Sequence, residues 1–382
     1  MELLETDAIA ALTSRLVAIR SMNPSLVRGE GVGEARVAAF ARDWLEEQGV
    51  RAWLEEVAPE RPNVVAEVVG GPGPTLVFCA HLDTVGVEGM IDDPFVARRA
   101  GNRLHGRGAY DMKGSAAAIM CVAATLAGTR FDGRVMLALV ADEEVASLGA
   151  QDFVQRHTAD ACILTEASAN QLVLAHKGFV WAEITSRGVA AHGSRWEVGR
   201  SAISASARVI AALDVLDREI LRGRTHPLCG PASLHCSMIS GGSGISTYAP
   251  ECRVQVERRT LPGEANADVL AEIERRVHSA DPDAEVRLIL RRPPLSVPAD
   301  APLARCVREA AREVRGLPPA DIGVAYWMDS AVFSAAGIPT VNYGPAGDGA
   351  HAADEWVDLD SLAECARVYL RCARSHASFG NG

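Results

Sequence analysis

The first half of the chain alternates short apolar runs with helical stretches. Thr75–Ala80, Val135–Ala141 and Ala161–Thr165 are predicted to be buried strands, because each run is short, apolar and bounded by turn residues or a helix. An alanine-rich helix is predicted over Lys113–Ala127 and a second helix over Gly149–Arg156. Strands that alternate with helices predict the α/β class, with a mostly parallel sheet and helices on both of its faces.

The pattern changes near Lys177. The order of the next elements, β-α-β-β-α-β, is that of a ferredoxin-like α+β sandwich. These predicted elements are Val180–Ser186, Gly199–Arg222, Leu234–Ser240, Cys252–Thr260, Ala265–His278 and Ala284–Arg291. Strands and helices then alternate again, and the last predicted helix is Asp360–His376. We therefore predict a catalytic α/β domain of residues 1–177 and 293–382, interrupted by an inserted domain of residues 178–292.

Length and charge agree with this division. A chain of 382 residues exceeds the size at which single hydrophobic cores stop growing, so two domains are expected. Its 48% hydrophobic and 23% charged residues are typical of soluble globular proteins. The net charge of −11 disfavours nucleic acid or an anionic membrane as the main partner.

The cysteines indicate a reducing compartment. Nine are present, an odd number, and none forms a CxxC pair. Cys79, Cys121 and Cys162 lie inside apolar runs, where a buried reduced thiol is expected. The first ten residues, MELLETDAIA, lack the features of a signal peptide, and no apolar run is long enough to span a bilayer. These features predict a soluble, cytoplasmic protein.

Five side chains of the kinds that bind divalent metals lie at ends of predicted elements: His81, Asp111, Glu144, Glu166 and His351. Four of them follow strand-like runs, and ligands of open α/β sheets bind at the carboxyl ends of strands. Asp111 instead follows a glycine-rich loop and opens an apolar helix, where an N-capping role would be as ordinary an explanation. Two histidines and three carboxylates suit zinc and similar ions. Taken together, the five residues favour a metallohydrolase.

Three neighbouring residues could support such a centre. Glu143 adjoins Glu144, and adjacent carboxylates repel each other unless a cation lies between them. If one is a ligand, the other can accept a proton from water, although acidic residues also favour helix N-termini. Asp83 follows His81 by two positions and can support that ligand, although a lone histidine at a strand end is more often structural. His192 lies in a predicted loop, where a histidine is usually only a surface residue.

Other catalytic classes have little support. The chain has no GxSxG nucleophile motif, no GxxxxGK[ST] loop and no complete GxGxxG element. The cysteines lie in apolar surroundings, which do not activate a thiol as a nucleophile. Serine hydrolases, cysteine hydrolases and nucleotide-dependent enzymes are therefore disfavoured.

Seven segments resemble those of a known family: FCAHLDTV, LHGRGAYDMKGSAAA, ADEEVASLGA, LTEAS, GVAAHGS, ERRTLPGE and GPAGDGAH. The family is M20, the co-catalytic zinc peptidases and deacylases, which includes acetylornithine deacetylase, succinyl-diaminopimelate desuccinylase and carboxypeptidase G-type enzymes. The segments span residues 78–351 approximately, and the domain order agrees with the family.

The resemblance implies a role for each candidate. Asp111 would bridge two divalent metal ions, with His81 and Glu166 at one ion and Glu144 and His351 at the other. Glu143 would be the general base, and Asp83 the partner of His81. The peptide bond between Asp111 and Met112 is expected to be cis. The ions would be zinc in the first instance, with cobalt or manganese as alternatives.

The resemblance also assigns residues of the inserted domain, which would serve as a lid and hold a homodimer together. His192 would approach the active site within one subunit or across the dimer and help to stabilise the oxyanion. Arg259, in preference to Arg258, would bind the substrate carboxylate. Thr247 stands where many members have a substrate-contacting asparagine.

The expected reaction is hydrolysis of an amide bond in an N-acyl amino acid. The segments ERRTLPGE and HGSRWEVG are most similar to the acetylornithine deacetylase branch. A carboxypeptidase or dipeptidase acting on short peptides is the alternative, and a non-catalytic metal-dependent binding protein is a distant one. The sequence leaves the acyl group and the amino-acid side chain open.

Overall fold

The structure, a computed structural model, describes residues 2–29 and 32–375. Within these residues the helices are α1 (Thr6–Val17), α2 (Ala35–Glu47), α3 (Gly114–Leu126), α4 (Leu148–Arg156), α5 (Ala202–Val215), α6 (Asn266–Ala280), α7 (Pro302–Arg315), α8 (Ser330–Ala335) and α9 (Leu359–Ser375). The strands are β1 (Arg51–Ala58), β2 (Arg61–Val69), β3 (Thr75–His81), β4 (Arg98–Ala100), β5 (Arg103–His105), β6 (Arg134–Val140), β7 (Ala161–Leu164), β8 (Leu172–His176), β9 (Gly178–Arg187), β10 (Thr225–His226), β11 (Gly230–Pro231), β12 (Ser233–Gly241), β13 (Glu251–Thr260), β14 (Glu285–Arg292), β15 (Leu295–Ser296), β16 (Asp321–Val324), β17 (Thr340–Tyr343), β18 (Gly347–Asp348) and β19 (Trp356–Asp358).

The chain divides into two compact units. The first unit comprises Met1–Leu174, Val297–Ile322 and Met328–Gly382, and the second comprises Ala175–Ser296 and Gly323–Trp327. The short segment Gly323–Trp327 thus groups with the second unit, although it lies far along the chain. The roles of these units as catalytic domain and as lid and dimerisation domain stay predictions.

A mixed sheet forms the centre of the first unit. Its four central strands are parallel and lie in the order β6, β3, β7, β17. β2 and β1 continue the sheet antiparallel beyond β6, and β8 pairs antiparallel with β17 on the other side. This sheet confirms the predicted α/β class.

Helices cover both faces of this sheet. α3 contacts β3 and β6 and is enclosed by α1 and α9, which explains why it is apolar all round. α7 packs on α9 over the same face. α4 and α8 contact the sheet from the opposite face, where the rings of Phe153 and Phe333 lie 5.7 Å apart. The sheet is therefore buried on both sides, as parallel sheets usually are.

The second unit is an antiparallel α+β sandwich. Its sheet has the order β12-β13-β9-β14, and α5 and α6 both pack on β9. Val180, Ala182 and Ile184 of β9 are buried in the core of this unit. Strand order and connections are those of the predicted ferredoxin-like arrangement.

Some elements differ from the prediction. The helix predicted over Gly199–Arg222 begins later than predicted, at Ala202 after the cap Ser201, whose side chain accepts from Ser204 N. Beyond Val215 it continues as a π-helical turn to Ile220 and a 3-10 turn to Gly223, close to the predicted end. β8 was not predicted, because an apolar run of five residues is equally compatible with a helix and with a strand. The small sheet of β18, β19, β5 and β4 was also missed, because strands of two or three residues show no periodicity. Residue 376, predicted to end the last helix, lies outside the described residues.

No helix within the described residues is long and apolar enough to cross a membrane.

Candidate metal centre and active site

The parallel strands place four of the candidate residues at one edge of the sheet. His81 is the last residue of β3, Glu144 lies in the turn after β6, and Glu166 lies just after β7. The chain that leaves β17 reaches His351 through β18. Because β6, β3, β7 and β17 are adjacent and parallel, their carboxyl ends meet at this edge.

The structure brings all five candidate ligands into two groups that share Asp111. In the first group, His81 Nε2 lies 2.9 Å from Asp111 Oδ1 and 3.2 Å from Glu166 Oε1. In the second, His351 Nε2 lies 3.3 Å from Asp111 Oδ2 and 3.1 Å from Glu144 Oε2. Within each group the possible ligand atoms lie within 4.8 Å of one another. The two oxygens of Asp111 thus belong to different groups.

These residues fit two divalent cations. Each group offers one imidazole nitrogen and two carboxylates, a donor set suited to zinc, cobalt or manganese. Glu144 Oε1 is buried and has no hydrogen-bond partner among the described residues, as expected of an atom placed for a ligand. Burial also raises the pKa of Glu166, and that of Glu144 to about 7. A cation in each group would offset this cost.

The carboxylates around the two histidines favour their protonated forms. Hydrogen bonding to Asp111 and Glu144 raises the pKa of His351 to about 10. Burial acts to lower the pKa of His81, but Glu166 and Asp111 together raise it well above its usual value. Protons on these histidines therefore balance the carboxylates in the metal-free protein.

A buried glutamate holds the loop that carries Asp111. Glu355 Oε1 accepts the backbone amides of Tyr110 and Asp111 at 2.9 and 3.0 Å. Glu355 Oε2 accepts the amide of Gly108 at 2.9 Å and Arg107 Nη1 at 2.8 Å. One carboxylate thus accepts four donors from residues 107–111 around the shared residue Asp111.

The Asp111–Met112 peptide bond is cis, which confirms the prediction.

Asp83 connects the segment after β3 to the segment after β6. Its carboxylate accepts the backbone amides of Glu143 at 3.1 Å and Glu144 at 3.2 Å, and the side-chain amide of Asn23 at 2.8 Å. His81 Nδ1 lies 2.9 Å from the backbone carbonyl of Asp83 and 3.6 Å from its carboxylate. Asp83 therefore orients the histidine through its carbonyl, while its carboxylate anchors the glutamate pair.

Glu143 lies beside the two metal groups but belongs to neither. Its backbone is held by Asp83, whereas its carboxylate makes no hydrogen bond to the described residues that would fix it. Burial, with Asp329, Glu166 and Glu144 nearby, raises the pKa of Glu143 well above its usual value. A carboxylate that belongs to neither group and whose pKa is raised binds a proton more strongly than an ordinary glutamate, which suits proton transfer.

His351 lies at the tip of the loop that joins β18 to β19. Its backbone has a positive φ of 61°, and its side chain is 54% exposed within the chain. Gly344, at the start of this segment, passes so close to the carbonyl of Glu166 that a Cβ there would collide with it. The close approach explains why this position requires glycine.

The second unit carries the other candidates. His192 is exposed, its Nδ1 lies 2.8 Å from Ser194 Oγ, and its backbone forms an isolated bridge with Thr247. Arg259 donates to Glu257 at 2.6 Å and lies over the ring of Phe179. Their roles toward a substrate stay predictions.

The neighbouring Arg258 has a different environment. Its side chain is completely buried and donates to Glu264 at 2.6 Å and to the carbonyl of Arg259. This position gives it a structural role within the second unit.

The family model for peptidase family M20/M25/M40 matches residues 77–375. The protein belongs to this family. A related acetylornithine deacetylase from Myxococcus xanthus is 28% identical over 96% of this chain and 97% of its own length. An M20 family metallo-carboxypeptidase from Sulfolobus solfataricus has the same fold, with a TM-score of 0.83 at 18% identity over 97% of this chain and 99% of that one. A dinuclear metal-binding M20 peptidase from Bacillus subtilis superimposes with a TM-score of 0.75 at 16% identity over 99% of both chains.

Several charged or polar residues around this M20 centre were missed by the sequence analysis. They are Asn23, Glu34, Arg61, Arg107, Asp142, Asp329 and Glu355, all of which are buried. Asn23 precedes Pro24 and Glu355 follows His351 by four residues, and neither belongs to a pattern of its own. Their importance depends on long-range contacts, which no local spacing encodes.

Proposed function

We propose that this M20 hydrolase uses two divalent metal ions, zinc in the first instance, to cleave the amide bond of an N-acyl amino acid. The observation that carries the proposal is the geometry of Asp111, whose two oxygens face two different histidines, each paired with a further glutamate. A carboxylate so placed can hold two cations side by side. The similarity to an acetylornithine deacetylase over nearly the whole chain supports deacylation.

The chain's own residues supply the proton transfers and the positioning. Bound divalent ions would lower the pKa of water from ~16 to about 7 in good zinc sites. Glu143 would take the proton of the attacking water on its carboxylate and deliver it to the nitrogen of the leaving amine. Asp83 would hold Glu143 and Glu144 in position by accepting hydrogen bonds from their backbone amides. Glu355 would keep Asp111 in place while charge develops.

Residues of the second unit would determine substrate specificity and contribute to catalysis. Arg259 would bind a free carboxylate, His192 would stabilise the oxyanion, and Thr247 would replace the family asparagine as a substrate contact. The roles of His192 and Arg259 are supported by the matching segments GVAAHGS and ERRTLPGE. A homodimer formed through the second unit and a cytoplasmic location belong to the same proposal.

A carboxypeptidase or dipeptidase activity is the second candidate. An arginine that binds a free carboxylate would serve a peptide C-terminus as well as an acyl amino acid. The fold is shared with a metallo-carboxypeptidase of the same family.

A panel of substrates distinguishes the deacylase activity from the peptidase activity. Metal-free protein would be reconstituted with zinc, cobalt or manganese and assayed on N-acetyl, N-succinyl and N-formyl amino acids beside dipeptides. The proposal expects an N-acyl amino acid to have the highest kcat/KM. Preference for dipeptides would favour the peptidase, and metal uptake without turnover of any amide would favour a binding protein.

A further inference from the structure

A buried asparagine joins the two strand-end segments that carry opposite parts of the metal centre. The side-chain nitrogen of Asn23 donates to Asp83 Oδ2 at 2.8 Å and to Asp142 Oδ1 at 3.0 Å. Asp83 follows β3, which ends at His81, whereas Asp142 follows β6 and directly precedes Glu143. All three side chains are buried in the first unit.

The orientation of this amide is fixed at its other end. Asn23 Oδ1 accepts the backbone amide of Ser25 at 3.0 Å, so the nitrogen must point toward the carboxylates. The backbone amide of Asn23 donates to the carbonyl of Thr84 at 2.8 Å, and Ser21 Oγ donates to the carbonyl of Leu82 at 2.7 Å. The segment around Asn23 therefore lies along the segment that follows β3.

Asp83 and Asp142 need a shared donor because both are acidic and buried. Two carboxylates that approach the same nitrogen atom repel each other unless hydrogen-bond donors or cations lie between them. The carboxylate of Asp142 has one further partner among the described residues, Arg61, which donates to Oδ1 at 2.7 Å and is itself paired with Glu34. Asp142 Oδ2 has no hydrogen-bond partner among the described residues, so the position of this carboxylate depends on Asn23 and Arg61.

We propose that Asn23 is a positioning residue that sets the distance between the His81 side and the Glu143–Glu144 side of the metal centre. Its two N–H groups hold Asp83 and Asp142 together. Asp83 then orients His81 through its carbonyl and the glutamates through their amides. This inference rests on the proposed two-metal function and extends it to a residue that contacts neither metal nor substrate.

A purely structural role for Asn23 would give a different result. If the amide only secures the N-terminal segment, its removal would lower stability and leave metal affinity unchanged. If it spaces the centre, metal affinity and kcat would fall while KM, which depends on contacts elsewhere, would change little.

The test compares Asn23→Ala and Asn23→Ser with Asn170→Ala as the matched control. Asn170 is also a buried asparagine, and its amide donates to the carbonyl of Ser361 and to Cys365 Sγ, both at 3.3 Å. Zinc affinity of each metal-free protein would be measured by competition with a chelator, and kcat and KM on the best substrate of the panel. Circular dichroism and thermal melting would monitor folding. Asn23→Ser retains one donor and serves if the alanine variant does not fold.

The inference expects about 10–100-fold weaker zinc affinity for Asn23→Ala, a similar fall in kcat and a change in KM below about threefold. The zinc affinity and kcat of Asn23→Ser should lie between those of Asn23→Ala and the wild type. Asn170→Ala should bind zinc as the wild type does. Wild-type zinc affinity in a folded Asn23 variant, or an equal loss in Asn170→Ala, would overturn the inference. Failure of the wild type itself to bind zinc would instead refute the proposed function, together with what rests on it. If the wild type binds zinc but cleaves no amide, the zinc affinities alone decide the role of Asn23.

Discussion

The carboxylate of Glu355 accepts the backbone amide of Asp111 at 3.0 Å. The same carboxylate accepts the amides of Tyr110 and Gly108 and the guanidinium of Arg107, so that four donors of this turn converge on one buried acid. Asp111 is the residue that both metal groups share. The position of Asp111, the proposed bridging ligand, therefore depends on a glutamate that belongs to neither group.

Glu355→Gln should loosen the Asp111 loop. The amide group of glutamine would present N–H donors to the N–H groups that the carboxylate now accepts, and unsatisfied buried donors cost about 1–3 kcal/mol each. We expect the free energy of unfolding, measured by urea denaturation, to fall by about 2 kcal/mol. Metal analysis should show less than the wild-type content of bound ions.

Glu309→Gln is the control for this change. Glu309 is an exposed residue of α7 that pairs only with Arg312 within its own helix. Its substitution should leave both stability and metal content unchanged. Equal behaviour of the two variants would contradict the role assigned to Glu355.

Metal binding should release protons at pH 7.5. Hydrogen bonding to Asp111 and Glu144 raises the pKa of His351 to about 10, and the pKa of His81 is also raised well above its usual value, so both histidines are protonated in the metal-free protein at this pH. Zinc binds only the neutral imidazole, so about two protons should leave on binding.

The number of protons released on zinc binding can be measured by calorimetry in buffers of different ionisation enthalpy.

The apparent zinc affinity should also depend on pH. Burial raises the pKa of Glu144 to about 7, so Glu144 also becomes protonated as the pH falls through 7. Protons then compete with zinc at a further ligand, so the apparent zinc affinity should fall more steeply below pH 7. His351→Ala should release about one proton fewer. Zinc binding without proton release would show that these histidines are not protonated in the metal-free protein at pH 7.5.

The patterning of the chain predicts the elements that place the ligands because each is long and regular. β3, β6 and β7 are apolar except for Thr75, His81 and Arg134 at strand ends, and their carboxyl ends meet at one edge because the strands are parallel neighbours. This reasoning found His81, Glu144 and Glu166. It could not find Asn23 or Glu355, whose partners lie 60 and 244 residues away along the chain.

Replacement of Arg258 should affect stability, whereas replacement of Arg259 should affect substrate binding. Arg258→Leu removes the partner of Glu264 from a buried pair, and breaking such pairs costs about 3–5 kcal/mol, so we expect a marked fall in the free energy of unfolding. Arg259→Lys should leave stability near that of the wild type, because Arg259 is partly exposed. A lysine cannot make the two parallel hydrogen bonds that arginine makes to a carboxylate, so KM for substrates with a free carboxylate should rise about tenfold.

Methyl esters of the same substrates are the control for Arg259. They lack the carboxylate, so wild type and Arg259→Lys should have similar KM values for them. An unchanged KM for the free acids would reject Arg259 as the residue that binds the carboxylate.

His192→Ala should lower kcat by about 10²–10³-fold, the effect of losing one oxyanion donor. His235 is another exposed histidine of the second unit, and His235→Ala should have wild-type kinetics. Rates would be compared at saturating substrate and equal metal content. A near-normal kcat for His192→Ala would remove His192 from the mechanism.

In the proposed mechanism Asp111 and its four partners hold two metal ions while Glu143, which binds neither, transfers the proton. The most direct test measures bound zinc and kcat for the wild type and Glu143→Ala after identical reconstitution. We predict two zinc ions per chain in both proteins, with turnover of an N-acyl amino acid only in the wild type. Loss of zinc from Glu143→Ala, or turnover that persists without this carboxylate, would contradict the account.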